Sequence, residues 1–472
     1  MKIRFNSFVA SSMWMIICLL EILVLKNMTF SEYSLRIITI IAIVNCILQI
    51  ITIRITGNRL FSFFTAFIIF LYLFHFGEAI TGSFYSDINF DFPNYILHYM
   101  TDKTIAWETL ICSLAFICVT FSGGILFYTS CANTPKSVDK EEIDDEQVLE
   151  YRICKYMGYL LFAISTPLKL YFDVKQLLAA ASGGYYAARN VESFSGVFSC
   201  IANFWYVSIP LIYLTIKSKK IRKIFVSLSI GYICLTMLTG NRGRQVVNLI
   251  AIFLVIHHSS EKKLNVGKII KWCFIVFVAL VFLNLVFDIR KYNLSYFLAN
   301  FGQFVEVALE KNVLVETCHN FGSSIFTPYL VIEGYGTDYT PFFGETYLKS
   351  FVSVVPDFLH AFKDINNQAI FSRVLNTKHL IGGSFIAEAY YNFGKLCYAF
   401  AFLFGVIYLK ISNALYIAVK RRNLGKVCIL YPFLAYSLWW VRDTVGGVTR
   451  PVVWLLIIYI LISHAPKVRR KK

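Results

Sequence analysis

The chain has 472 residues, 57% of them hydrophobic and only 15% charged, with a formal net charge of +17 at pH 7. Soluble domains run nearer a quarter charged, so this composition excludes an ordinary soluble protein and reads as a polytopic membrane protein. The basic excess lies mostly in short loops between apolar runs, without interleaved aromatics, so it follows the positive-inside bias and forms no nucleic-acid groove.

Lys2 and Arg4 precede an apolar run at 8–25. No small-residue cleavage site follows it, so it reads as a first membrane helix and not as a cleaved signal peptide. Stretches of about 20 apolar residues, the length that spans a bilayer, recur at 33–53, 60–80, 105–130, 154–173, 196–216, 222–239, 243–258, 268–288, 385–409, 427–441 and 447–464. Lipid offers no partners to an open backbone, so each is expected to be a helix. The expected fold class is an all-α polytopic membrane protein of about 12 transmembrane helices. Residues 1–472 then form a single transmembrane domain, and the extracytoplasmic loop at 289–384 caps it.

Orientation follows from the basic loops. One holds Lys217, Lys219, Lys220, Arg222 and Lys223, another Lys262, Lys263, Lys268 and Lys271, and a third Lys410, Lys420, Arg421, Arg422 and Lys426. With the tail at Lys467, Arg469, Arg470, Lys471 and Lys472, all share the side of the N-terminus if the spans alternate, so both ends are expected in the cytoplasm. The acidic loop at 139–150 lies on that side too, but acidic residues orient weakly. The outer side receives the segments near Asp87 and Asp91, residues 174–195, the 289–384 insert and two short arginine turns.

The insert opens with Leu294, Phe297, Leu298, Phe301, Val305, Ala308 and Leu309 at three- and four-residue steps, the pattern of an amphipathic helix on the membrane surface. Beyond it, Gly322, Pro328, Gly334, Gly336, Pro341, Gly344 and Pro356 punctuate an aromatic-rich stretch, which reads as a folded cap of short helices. The 12 cysteines are scattered singly, and Cys318 in the insert has no obvious partner, so no disulfide framework is expected. No CxxC pair or His-rich run marks a metal site.

The arginine turns carry the chemistry. The first is Thr239-Gly240-Asn241-Arg242-Gly243-Arg244; the second runs from Arg442-Asp443 through Gly446-Gly447 to Arg450. Arginine outside opposes the usual bias. One such residue is accounted for by snorkelling to lipid phosphates; two turns that use arginine without lysine point to a phosphate or pyrophosphate ligand. Arg244 opens the next helix, where the positive dipole end adds to anion binding. Asp443 is a candidate partner that orients Arg442. Arg290 is a further contributor, or else a structural partner of Asp288. Glu388 stands near the outer end of an apolar helix, where a carboxylate is costly; it is either functional or buried against an arginine. His319, His360 and His379 lie in the insert, and each alone is as readily structural as a base.

Four places resemble the Wzy-type O-antigen and repeat-unit polysaccharide polymerases of bacteria. They are Gly183-Gly184-Tyr185 in the expected outer loop after the fifth span, Thr239-Gly240-Asn241-Arg242-Gly243, Gly344-Glu345-Thr346-Tyr347-Leu348 with Val355-Pro356, and Ser384 to Gly394, ending Glu388-Ala389-Tyr390-Tyr391-Asn392-Phe393-Gly394. Where family members often show Gly-Ser-Arg-Gly, this chain has Gly240-Asn241-Arg242-Gly243, which keeps the arginine. The resemblance covers most of the chain from about residue 180.

The resemblance implies a metal-independent, cofactor-free membrane glycosyltransferase of the GT-C type in the cytoplasmic (inner) membrane. It would transfer a growing chain from undecaprenyl pyrophosphate onto the next lipid-linked repeat unit, with a chain-length regulator and a flippase as candidate partners. On those terms Arg242, Arg244, Arg290, Arg442 and Arg450 would bind the pyrophosphate, and Glu388, His319 or His379 would take the acceptor proton. An O-antigen ligase shares the carrier and the fold type. A flippase or transporter is the other rival; many transporters carry internal repeats, and none is apparent here.

Overall fold

The computed structural model describes residues 5–84, 96–126, 145–189, 196–237, 239, 242–260, 281, 296, 299–310, 313–341, 343–355 and 382–464. Most of the expected span at 268–288 lies outside them, as do the Asp87 to Asp91 segment, Asp288, Arg290, His360, His379 and the basic tail.

The described chain is helical, as the apolar runs require. Helices α1 Phe5–Leu25, α2 Glu32–Ile55, α3 Phe63–Phe84, α4 Ile96–Tyr99 and α5 Lys103–Leu126 are followed by α6 Asp145–Arg189, α7 Gly196–Thr215, α8 Lys219–Met237 and α9 Arg242–Ser259. The insert contributes α10 Phe301–Glu310, α11 Val313–Gly322, α12 Phe326–Glu333 and α13 Glu345–Val352. Then come α14 Phe385–Phe393, α15 Cys397–Lys420, α16 Leu424–Trp440 and α17 Gly446–His464. Among the described residues, seven helical segments are long and apolar enough to cross a membrane. Leu19 and Leu23 on α1, Ile40 and Ile47 on α2 and Ile457 and Leu461 on α17 are exposed, an apolar surface suited to lipid and not to water.

The bundle is organised around α5, which is buried along nearly its whole length. Lipid supplies no hydrophobic drive between helices, so close backbone approach and polar contacts hold them together. A Cβ at Gly123 would strike the Phe402 carbonyl, and one at Gly405 the Thr120 carbonyl, so α5 and α15 meet backbone to backbone. Ser11 and Ser122 share a hydroxyl contact at 2.9 Å, and the Trp107 indole donates to the Leu25 carbonyl at 3.0 Å, which fixes α1 on α5. Gly77 on α3 and Gly322 on α11 form a third close crossing. The insert therefore sends one helix into the bundle against α3. Burial pushes the Cys318 thiol on that helix up to about 11, leaving it neutral.

Two elements differ from the expected boundaries. Helix α6 runs unbroken through Gly183, Gly184 and Tyr185, which the apolar pattern placed in an outer loop. The apolar run ends near Lys169 and Asp173, but these bond each other one turn apart (2.7 and 2.9 Å), so the helix continues past them. The expected span at 385–409 is broken at Gly394, whose φ of +53° suits glycine; a Cβ there would lie 3.1 Å from the Tyr335 ring and 3.3 Å from Pro341. Helix α14 is thus a short buried segment, and α15 continues to Lys420.

The bundle has two distinct ends. At one, Lys420 donates to the Ser260 carbonyl at 2.7 Å, His258 meets the Phe61 carbonyl at 2.8 Å and Tyr151 donates to the Thr215 carbonyl at 2.7 Å, so the basic loops at 217–223 and 420–426 gather there. The α8–α9 and α16–α17 turns lie at the opposite end, beside the insert.

Candidate functional site

Aromatic packing brings the two arginine turns together. Gly243, the residue between Arg242 and Arg244, faces the ring edges of Trp439 and Phe321, which a Cβ would meet at 3.3 and 3.6 Å. Both rings stand edge-on to Phe74 of α3, at centroid separations of 6.3 and 5.4 Å. The Arg442 guanidinium lies over that same Phe74 ring at 5.9 Å and donates to the Ser323 hydroxyl at 3.3 Å. Three elements distant in sequence thus meet around one phenyl ring.

Arg244 sits in the first turn of α9, which carries no acidic residue. Its half-buried side chain lines a cavity between α7, α9 and α16, with Asn203, Tyr206, Asn248 and Tyr436 in the wall. Asn248 is one helical turn beyond Arg244, so both project to the same face. Its Nδ2 and the Tyr436 hydroxyl are shielded from water and find no hydrogen-bond partner among the described residues. No described carboxylate pairs with Arg244. The wall therefore presents unpaired donors and a cation at a helix N-terminus, an arrangement that favours an anion.

Arg450 approaches from the other turn. Arg244 and Arg450 both lie within electrostatic reach of Cys200 on α7. Arg450 Nε donates to the Ser353 carbonyl at 2.6 Å, and one turn further the Trp454 indole donates to the Val354 carbonyl at 2.8 Å. With the Ser350–Thr449 hydroxyl contact at 2.9 Å, these bonds fasten the end of α13 to α17. Arg442, Arg244 and Arg450 thus follow one arc that runs from the middle of α3 past the first turn of α9 to the first turn of α17. The tight turn does not aim its two arginines at one point: Arg442 turns toward α3 and α11, Arg450 toward α7 and α13.

The second turn is held by buried carboxylates. Glu388 is fully enclosed. Its Oε1 accepts from the Thr346 hydroxyl at 3.0 Å; its Oε2 accepts from the Trp440 indole and the Val445 backbone N–H, both at 2.8 Å. Asn392 exchanges two further bonds with Thr346, at 2.6 and 3.2 Å. Asp443 Oδ1 accepts from the Thr444 N–H at 2.8 Å, and its carboxylate lies against Gly447 at the start of α17. A Cβ on Gly383 would collide with the Asp443–Thr444 peptide, so the chain entering α14 is laid directly on this turn.

The family model described as O-antigen polysaccharide polymerase Wzy matches residues 6–469, nearly the whole chain. The chain belongs to the Wzy O-antigen polysaccharide polymerase family. It is a repeat-unit polymerase, a multi-pass membrane glycosyltransferase that acts on lipid-linked oligosaccharide repeat units. The ligase and flippase readings gain no support from this match. No curated protein and no solved structure matches the chain.

Of the residues expected at the polymerase's site, Arg244, Arg442 and Arg450 fall on the arc, and Arg242 is the first residue of α9. Glu388 lies behind the arc, bonded to its frame. His319 stands apart, buried between α11 and α3 with Nδ1 at 3.2 and 3.3 Å from the two Glu78 oxygens. Arg290 and His379 lie outside the described residues. Sequence reading did not single out Phe74, Trp439, Asn248, Tyr436, Trp440 or Glu78. Only Asn248 had a local signal, its four-residue step from Arg244; the others reach the site through tertiary packing alone.

Proposed function

We propose that the polymerase joins undecaprenyl-pyrophosphate-linked repeat units at the outer face of the cytoplasmic membrane, and that the arginine arc binds the departing pyrophosphate. The observation that carries this reading is the meeting of the two arginine turns beside Phe74 and Trp439, where Arg244 stands at a small cavity with Asn248 and Tyr436 donors that lack described partners and with no described carboxylate. The acceptor sugar's hydroxyl oxygen attacks the anomeric carbon of the growing chain. The bond from that carbon to the pyrophosphate oxygen breaks, the carrier pyrophosphate leaves with the electron pair, and the hydroxyl proton passes to a base or to water. The leaving group gains negative charge as the bond breaks, so fixed cations that touch it stabilise the transition state more than the ground state. Arg242, Arg244, Arg442 and Arg450 supply this charge without a metal, with Arg290 as a further contributor. His319 is the candidate base that stands against a carboxylate, an arrangement that orients an imidazole; His379 is the other.

The topology that fits this chemistry has about 12 spans in a GT-C-like arrangement with both termini cytoplasmic. The gathering of the basic loops at 217–223 and 420–426 at the end away from the arginines supports it. A flippase that delivers the repeat units and a regulator of chain length are the expected partners.

The test is chain extension by Arg244→Ala in cells lacking the native gene. The expected result is single repeat units with normal protein levels; full-length polymer would remove the pyrophosphate role. Impermeant thiol reagents applied to single cysteines near Arg242 and in the insert check the orientation. Labelling confined to permeabilised cells would overturn it.

A further inference from the structure

We propose that Glu388 is a positioning residue: it holds the Arg442 to Arg450 turn in the geometry that binds pyrophosphate and does not take the acceptor proton. The proposal rests on the pyrophosphate reading above. A general base has to offer a lone pair to the substrate hydroxyl within hydrogen-bond reach. Glu388 has no exposed surface, and its two oxygens already accept three hydrogen bonds, from Thr346, Trp440 and the Val445 backbone. Those donors come from three elements: Thr346 from α13 of the insert, Trp440 from the end of α16, and Val445 from the turn itself. One carboxylate on α14 therefore joins the insert to the arginine turn.

The linkage runs in both directions from Glu388. On the insert side, Asn392 lies one turn along α14 and bonds Thr346 through both its amide oxygen and nitrogen, which fixes the start of α13. The end of the same helix is fixed by Ser350 on Thr449 and by the Ser353 carbonyl on Arg450. On the turn side, Val445 lies between Arg442 and Arg450, and its N–H is held by Glu388 while the preceding N–H, of Thr444, is held by Asp443. Two buried carboxylates thus take the consecutive amides of the turn, while Arg442 at one end reaches the Ser323 hydroxyl and Arg450 at the other reaches the Ser353 carbonyl. Removing the Glu388 carboxylate leaves the buried Val445 amide and Trp440 indole without an acceptor, and the turn must shift to satisfy them.

The decisive comparison is Glu388→Gln with Glu388→Ala. A glutamine keeps an oxygen that accepts from Trp440 and Val445 and an amide that donates to Thr346, but it cannot accept a proton in the reaction. Alanine removes both functions. Each variant is purified in lipid nanodiscs and measured for thermal melting, for binding of inorganic pyrophosphate and for extension of lipid-linked repeat units. Glu388→Gln is expected to bind pyrophosphate within about threefold of the parent and to retain chain extension within about tenfold. Glu388→Ala, still folded by its melting transition, is expected to bind pyrophosphate at least about tenfold more weakly, and adding Arg450→Ala to it costs little more, because both act through one turn.

Loss of extension in Glu388→Gln with pyrophosphate binding intact would assign the proton to Glu388 and overturn the proposal. So would unchanged pyrophosphate binding in a folded Glu388→Ala. If the alanine variant does not fold, the glutamine variant decides alone. Arg244→Ala and Arg450→Ala run alongside: parent-like pyrophosphate binding by both would overturn the pyrophosphate reading itself and this proposal with it. Weakened binding in both together with a negative Glu388 result would leave that reading standing.

Discussion

The two arginine turns resemble each other in sequence and differ in how the fold treats them. The first opens a helix that has no acid in its first turn, and its cavity holds an arginine and two donors that find no partner among the described residues. The second is bonded: Glu388 and Asp443 take its amides, Gly383 packs on its backbone and Arg450 is tied to the insert. An unsatisfied buried donor costs about 1–3 kcal/mol, a cost that an anionic ligand at this cavity would offset. On the reading proposed above, the first turn receives an anion and the second is the frame that sets where the neighbouring cations stand.

This contrast can be broken most directly at Arg244. Its replacement by alanine should reduce chain extension by about 10²–10³-fold, the loss seen for removing one preorganised donor to a developing anion, with melting temperature little changed. Gel profiles of the polysaccharide and a thermal melt check both parts. A comparable drop in melting temperature would show that the first turn is structural too.

The next effect is expected in the frame. Gly405→Leu forces a side chain against the Thr120 carbonyl where α5 and α15 touch. Overpacking of this kind costs about 1–3 kcal/mol or more, so the protein level and melting temperature should fall and activity should fall in proportion to folded protein. Activity lost without loss of folded protein would mean that this crossing acts on the site itself.

Thr346→Val tests the frame more gently. It leaves Glu388 Oε1 and the Asn392 amide short of a partner, and the expected cost is about 1–2 kcal/mol in stability. Weaker pyrophosphate binding should accompany it, since the insert and the turn share that hydrogen bond. A melt that does not move would show the bond to be replaceable.

The smallest change separates the two turns best. Tyr436→Phe removes a buried hydroxyl that has no partner among the described residues. In the absence of substrate this should leave the melting temperature unchanged or raise it slightly, because a desolvated donor disappears. Chain extension should nevertheless fall about threefold to tenfold, the net value of one ordinary hydrogen bond. A variant as active as the parent would mean that no ligand atom reaches this cavity wall.

Much of this was legible in the chain itself. The α8–α9 and α16–α17 hairpins follow from apolar runs closed by Gly-containing turns, and the arginines stand out because the charge pattern of the loops assigns them to the side that disfavours them. Helix α6 was misjudged at its outer end because hydropathy marks where a lipid-compatible surface stops. The helix itself goes on, since Lys169 and Asp173 satisfy each other one turn apart. The break at Gly394 was hidden for the opposite reason: its cause is Tyr335 and Pro341, more than fifty residues away.

The sequence by itself determined a helical membrane protein, the positions of most spans, the family and the arginines worth testing, because periodicity, length and charge bias are local properties. The tertiary structure decided that the two turns share Phe74 and Trp439, that Arg244 faces unpaired donors while Arg450 is bound, and that Glu388 is enclosed behind the site. These depend on which distant backbones can approach closely, and that is set by pairs such as Gly123 with Phe402 and Gly77 with Gly322, whose partners no local pattern names.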